Sequence, residues 1–166
     1  MTKESFAIRP AVVEDAATIL ELIQALADYE DMSAEVLATS ESVAATLFGE
    51  EADAHCVLAE VGGRAIGMAI YFFNYSTFLT RRGLYLEDLF VIESARGKGY
   101  GERLLRYLAE VAVEKGCGRF EWSVLDWNEP AIGFYEKMGA SLLKEWRICR
   151  VTGESLKDLA GGNMKQ

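Results

Sequence analysis

Leu84-Tyr85-Leu86-Glu87-Asp88-Leu89-Phe90-Val91, followed after four residues by Arg96-Gly97-Lys98-Gly99-Tyr100-Gly101, decides how this chain is read. The first stretch is an apolar strand carrying two acids. Beyond the glycines, Leu104, Leu105, Leu108, Val111 and Ala112 recur at helical spacing up to about Lys115, so strand, glycine turn and amphipathic helix form one unit. The start of such a helix bares unpaired N–H groups and the positive end of its dipole, which together make a seat for an anion. Arg96, Lys98, Arg103 and Arg106 add four basic residues within eleven positions of an otherwise acidic chain. The glycines alone are also compatible with a plain turn; the flanking charge points to a small anionic ligand. A dinucleotide fingerprint G-x-G-x-x-G fails because Glu102 stands three positions after Gly99 and the unit is central rather than first. Glu121 imitates the ribose-binding acid of that fold without the glycine spacing, and G-x-x-x-x-G-K-[ST] is absent.

Working outward, Phe6 to Pro10 alternates like a short strand, and Glu14 to Tyr29 places Ala16, Ile19, Ile23, Leu26 and Ala27 on one helical face. Thr39 or Ser40 caps a second helix through Phe48 that Gly49 stops. His55 to Val61 and Ala65 to Phe73, joined by Gly62-Gly63, read as a hairpin whose second arm is buried on both faces. A polar loop is expected from Asn74 to Gly83. After Gly116, Arg119 to Leu125 is a strand, Pro130 opens a helix that Gly139 closes, and Ser141 to Val151 is expected as a final strand pair before a short helix and a Gly-Gly tail. No repeat or linker divides the 166 residues, so one domain over 1–166 is expected.

Composition narrows the function. Lys plus Arg number 17 against 26 Asp plus Glu, a net charge of −9, which argues against nucleic acid as a partner. The longest apolar run, Ala65 to Phe73, is too short to span a bilayer, so no membrane partner is expected. The segment from Met1 to Phe6 lacks the apolar core of a secretory signal. Cys56, Cys117 and Cys149 are odd in number and scattered, which fits a reducing compartment, the cytoplasm by default. The single His55 cannot build a zinc site, so no metal is expected. As strand neighbours, His55 and Cys56 face opposite sides and do not form a nucleophilic couple.

Arg96-x-x-Gly99-x-Gly101 after a central strand resembles the acetyl-CoA motif of the GNAT N-acetyltransferase superfamily. The likeness runs over most of the chain and is nearest to the diamine acetyltransferases that act on spermidine, spermine or thialysine. Ile8-Arg9-Pro10-Ala11, Asp28-Tyr29-Glu30, Leu84 to Asp88, Trp127-Asn128-Glu129-Pro130 and Phe134-Tyr135 carry it. The resemblance implies an α/β fold with a mixed, twisted central sheet, helices on both faces, and central parallel strands splayed at the acetyl-CoA site. It also implies a homodimer and acetyl-CoA as co-substrate. The pyrophosphate would sit on the N–H groups of Arg96, Gly97, Lys98, Gly99, Tyr100 and Gly101, and the backbone of Leu89, Phe90 and Val91 would pair with the pantetheine arm. Asn128 matches a cofactor contact of the family but equally an ordinary helix cap.

An aliphatic amine of pKa near 10 is only about one part in a thousand neutral at pH 7, a handicap of roughly 4 kcal/mol, so a base is required. The departing thiolate, of pKa near 8.5, needs an acid that a phenol can supply. By resemblance Tyr135 is that acid and Glu87, through a water, the base, with Asp88 as substrate or structural partner. Glu87 and Asp88, adjacent on a strand, are expected on opposite faces, and which of them is the base stays open. Tyr29, Glu30 and Trp146 match residues around a bound polyamine, or are a solvated helix end and an edge aromatic. Before Leu84, Ser76 and Phe78 stand where mammalian polyamine acetyltransferases carry an acid and a tryptophan, and Arg81 and Arg82 add positive charge. The acceptor is therefore expected to be a small diamine or polyamine, or an amino acid such as thialysine. A non-catalytic acetyl-CoA sensor is the alternative of another class.

Overall fold

The computed structural model describes residues 5–162; Met1 to Glu4, on which part of the amino-terminal reading rests, lie outside the described residues. One unit ends at Leu125 and a second begins at Asp126. In the first, β1 (Phe6–Pro10), β2 (His55–Val61), β3 (Arg64–Ser76), β4 (Arg81–Val91) and β5 (Phe120–Trp122) form one sheet in sequential order. The first three pairings are antiparallel and β4–β5 is parallel. This is the mixed α/β sheet that the sequence implies. Gly62 and Gly63, at φ 58° and 77°, supply the left-handed angles of the β2–β3 turn.

The two faces of the sheet take different helices. Cys56, Leu58, Met68, Ile70 and Phe90 pack with Ala16, Ile19 and Leu22 of α1 (Ala16–Tyr29) and Val43 of α2 (Ser40–Phe48). Thr39 caps α2, its Oγ1 accepting from the Ser42 N–H at 3.1 Å. On the other face, Val57, Ala69, Leu84 and Leu86 are buried, and α3 (Tyr100–Glu114) brings Leu104, Leu105, Leu108 and Ala112. His55 meets Tyr71 at a tilt and Phe73 edge-on there, with centroids 5.2 and 5.7 Å away, while Cys56 lies in the opposite cluster. Burial lifts the Cys56 thiol to about 12, leaving it a core residue as strand alternation requires.

Two local expectations are corrected. Asn74 to Gly83 is not a polar loop: β3 and β4 continue through it, pairing Asn74 with Gly83 and Ser76 with Arg81, so the irregular tip shrinks to residues 77–80. Alternation of Tyr75 and Arg82 with Asn74 and Gly83 suits a two-stranded arm as well as a loop, and cross-strand pairing decides between them. Leu79 donates its N–H to the Ser76 Oγ at 3.3 Å, closing that tip, and Phe78 on it is 99% exposed. Nor do residues 141–151 form a strand pair: they are exposed and without ladder partners. Their alternation specifies a face but supplies no neighbouring strand, and backbone hydrogen bonding needs one. The second unit otherwise holds α4 (Glu129–Lys137), with Pro130 in its first turn, and α5 (Gly153–Gly161). β5 is shorter than the expected 119–125 because its ladder stops at Leu86–Trp122.

Leu104 is fully buried and fixes the early turns of α3 to the sheet. Leu104→Ala is expected to lower the unfolding free energy by about 2–5 kcal/mol, seen as a lower urea midpoint at unchanged m-value, whereas exposed Val113→Ala shifts it by roughly 0.5 kcal/mol or less.

Candidate active site

The site grows from one irregularity in β4. Ile70 pairs with Asp88 and Tyr71 with Leu86, which leaves Glu87 as the extra residue of a β-bulge. Tyr85 lies over Phe72, ring centroids 5.1 Å apart, on the same side as Ile70 and therefore as Asp88. Tyr85 and Asp88 are three residues apart, so a regular strand would set them on opposite faces. The bulge cancels one step of alternation, and the expectation that Glu87 and Asp88 must point to opposite faces fails for that reason. Their charges instead act together: burial first, then Glu87, then Glu30 at the end of α1, lift the Asp88 carboxyl to about 6. Glu30 is itself raised by burial, while Glu87 is exposed. The Asp88 carboxyl thus lies within the fields of two other acids singled out from the sequence, Glu87 and Glu30.

The same irregularity opens an edge. β5 accompanies β4 only from Leu84 to Leu86; from Asp88 to Val91, β4 has its ladder with β3 and none on the β5 side. Leu89, Phe90 and Val91 therefore lie on a strand edge with no strand beside it, the arrangement that accepts an extended ligand as an added strand; the Val91 carbonyl on that edge accepts from Arg96 Nε at 2.9 Å.

This edge leads to the glycine turn. Gly97 and Gly99 are left-handed, at φ 74° and 81°, and a Cβ on either would meet open space; the conformation, not crowding, calls for glycine. Alternation of left-handed glycines with Lys98 lines N–H groups along a concavity. Gly99 is the N-cap of α3 and supplies no side chain to cap it, so the first-turn donors of Tyr100 and Gly101 have no side-chain acceptor. Tyr100 stacks on Phe6 at 4.8 Å with the rings 5° from parallel, anchoring the helix start to β1. These features fit a diphosphate.

The basic patch read from the sequence is mostly committed elsewhere. Arg106 pairs with Glu102 at 2.9 Å, and Arg103 lies 4.1 Å from the Phe6 ring centroid. Arg96 stacks 4.4 Å from the Tyr29 ring and 5.4 Å from that of Phe90. Phe6 and Phe90 as supports of the site were missed, because no linear spacing signals that they meet arginines distant in sequence. Among the described residues no cluster of three His, Cys, Asp or Glu side chains suits a metal ion, and no helix is long and apolar enough to cross a membrane.

Asn128, Tyr135 and Trp146 belong to the second unit. Asn128 Oδ1 accepts from the Ala131 N–H at 3.3 Å, so the side chain does serve as the cap of α4. Tyr135 lies on α4 with its ring 5.3 Å from that of Phe134. Trp146 is 76% exposed, in the segment without strand pairing.

Residues 19–140 match the profile of the Acetyltransferase (GNAT) family. A thialysine N-epsilon-acetyltransferase of Sus scrofa is 40% identical over 95% of this chain and 98% of its own. An L-ornithine N5-acetyltransferase of Arabidopsis thaliana is 52% identical over 55% of this chain and 40% of its own. Among solved structures, an integron cassette protein from V. cholerae superposes with a TM-score of 0.80 at 29% identity, covering 94% of this chain and 98% of that one.

Asp88 has a folded-state pKa raised above its ordinary value of 3.8 to about 6, so ionising it costs stability. The cost is absent below about pH 4, grows as the carboxyl ionises, and is complete above about pH 6. Asp88→Asn is expected to stabilise the protein at pH 8 by on the order of 1–3 kcal/mol and to have little effect at pH 4. Denaturant unfolding at the two pH values checks this.

Proposed function

The chain belongs to the Acetyltransferase (GNAT) family and is an acetyl-CoA-dependent amine N-acetyltransferase, and we propose that its acceptor is the terminal primary amine of a short molecule with a second cationic nitrogen. The observation that carries this reading is the cluster of Glu30, Glu87 and Asp88 beside the open edge of β4. A half-buried Asp88 carboxyl that feels the charges of Glu87 and of half-buried Glu30 is relieved by an ammonium group placed beside it. Thialysine and ornithine, named for the relatives above, are amino acids with such an amine. Within the class, we favour an amino acid of this kind. A bare diamine is the second reading, favoured by the same carboxylates, which need no partner for an acceptor's own carboxylate.

On this reading acetyl-CoA supplies an activated acetyl thioester. The N–H groups from Arg96 to Gly101 hold its diphosphate, and the backbone of Leu89 to Val91 aligns its arm. Glu87, exposed at the bulge, accepts the amine proton through a water. Asp88 and Glu30 hold the acceptor's ammonium until that proton leaves. Tyr135 donates the proton that the departing sulfur needs, a transfer within a phenol's chemical reach.

Thiol release with acetyl-CoA and a panel of thialysine, L-ornithine, L-lysine, 1,4-diaminobutane, spermidine and spermine tests the acceptor class. Thialysine or ornithine should show the highest kcat/KM. Spermine exceeding every amino acid by orders of magnitude overturns the amino-acid reading.

Tyr135→Phe should lower kcat by about 10²-fold or more and leave the calorimetric Kd for CoA within a few-fold. Wild-type turnover in this variant would remove Tyr135 from the acid's role.

A further inference from the structure

Arg96 stands at the start of the diphosphate-binding turn, yet its side chain does not point along it. Nε donates to the Val91 carbonyl at 2.9 Å. The guanidinium carbon lies 4.4 Å from the Tyr29 ring centroid and 5.4 Å from that of Phe90. One side chain thus joins the last residue of the open strand edge to the carboxyl end of α1. That end has its own reason to attract a cation. α1 has no basic residue in its last turn, and its terminal carbonyls carry the negative pole of the helix. The helix closes through the left-handed Asp31, at φ 57°, with Met32 donating back to the Ala27 carbonyl at 2.8 Å. Tyr29 is immediately followed by Glu30, whose charge acts on Asp88. The position of Tyr29 therefore sets where Glu30 stands relative to Asp88.

We infer that the Arg96 side chain is a positioning residue for the acceptor amine. Clamped on Tyr29, it holds Glu30 beside Asp88, while its own backbone serves the donor, so the two substrate sites are coupled through one residue. The inference rests on the function proposed above. A lysine at this position keeps the charge and the backbone N–H but has neither the planar face for Tyr29 nor the Nε donor that reaches the Val91 carbonyl. Linkage makes the coupling reciprocal: whatever orders the turn also orders the acceptor site, and the reverse.

The test measures steady-state kinetics with thialysine and with 1,4-diaminobutane, and CoA binding by calorimetry, for the wild type, Arg96→Lys, Tyr29→Leu and the double variant. Arg96→Lys should raise the amine KM about three- to thirty-fold and change the Kd for CoA by less than about threefold. Tyr29→Leu should raise the amine KM comparably, and the double variant should be no worse than the poorer single one, since both remove the same contact. An unchanged amine KM with weakened CoA binding, or effects that multiply in the double variant, overturns the inference while the wild type still turns over. A wild type that neither binds CoA nor acetylates either amine overturns the underlying function, and the inference with it.

Discussion

Everything at this site depends on β4 losing its partner on one side after Leu86 and gaining one extra residue at the same place. A strand held on both sides has its backbone groups consumed and its side chains sorted strictly between two faces. Releasing one side leaves the outward backbone groups of this stretch without a neighbouring strand, the Val91 carbonyl meeting Arg96 Nε instead. Inserting Glu87 lets consecutive acids share an environment that regular alternation would divide. The open edge and the paired acids are in this sense two results of one break in the ladder, located where parallel pairing gives way.

Rigid surroundings make such a break tolerable. Behind the bulge, Ile70 and Phe90 are in the cluster with α1 and α2, and Leu84 and Leu86 are buried on the α3 side. At the outer end of the sheet, Arg9 binds Asp15 with both terminal nitrogens, at 2.7 and 2.9 Å, and Glu60 through Nε at 2.9 Å. This ties the approach to α1 to β1 and β2 and draws the Asp15 carboxyl below its usual range. The helix that ends in Tyr29 and Glu30 is thereby held near both of its ends.

Much of this was legible in the letters. The order of elements, the Gly62-Gly63 turn, the Thr39 cap and the strand-glycine-helix unit follow from local rules that the fold obeys. Glu30, Glu87 and Asp88, the first and second of which act on the charge of the third, are singled out by resemblance. What could not be read was non-local. The bulge depends on how β3 and β4 pair, and no residue of Leu84 to Val91 announces it. The extension of that hairpin to Ser76 and Arg81 likewise depends on cross-strand register. Residues 141–151 show the converse: the alternation was present, and no partner strand was. Where the basic patch from Arg96 to Arg106 spends its side chains is likewise non-local: Arg96 and Arg103 lie on ring faces of Tyr29, Phe90 and Phe6, and only Arg106 pairs within the stretch, with Glu102.

The uncapped start of α3 has a bearing on stability engineering. A routine route to a hardier enzyme is to place serine or aspartate ahead of a helix; at Gly99 that change would need a left-handed backbone and would fill the anion seat with the protein's own oxygen. The start of α3 is therefore left without the stability a side-chain cap would provide, and on the function proposed above a bound anion would supply it. Storage with the donor or its product, rather than mutation of this turn, is the rational means of protecting such a protein against heat.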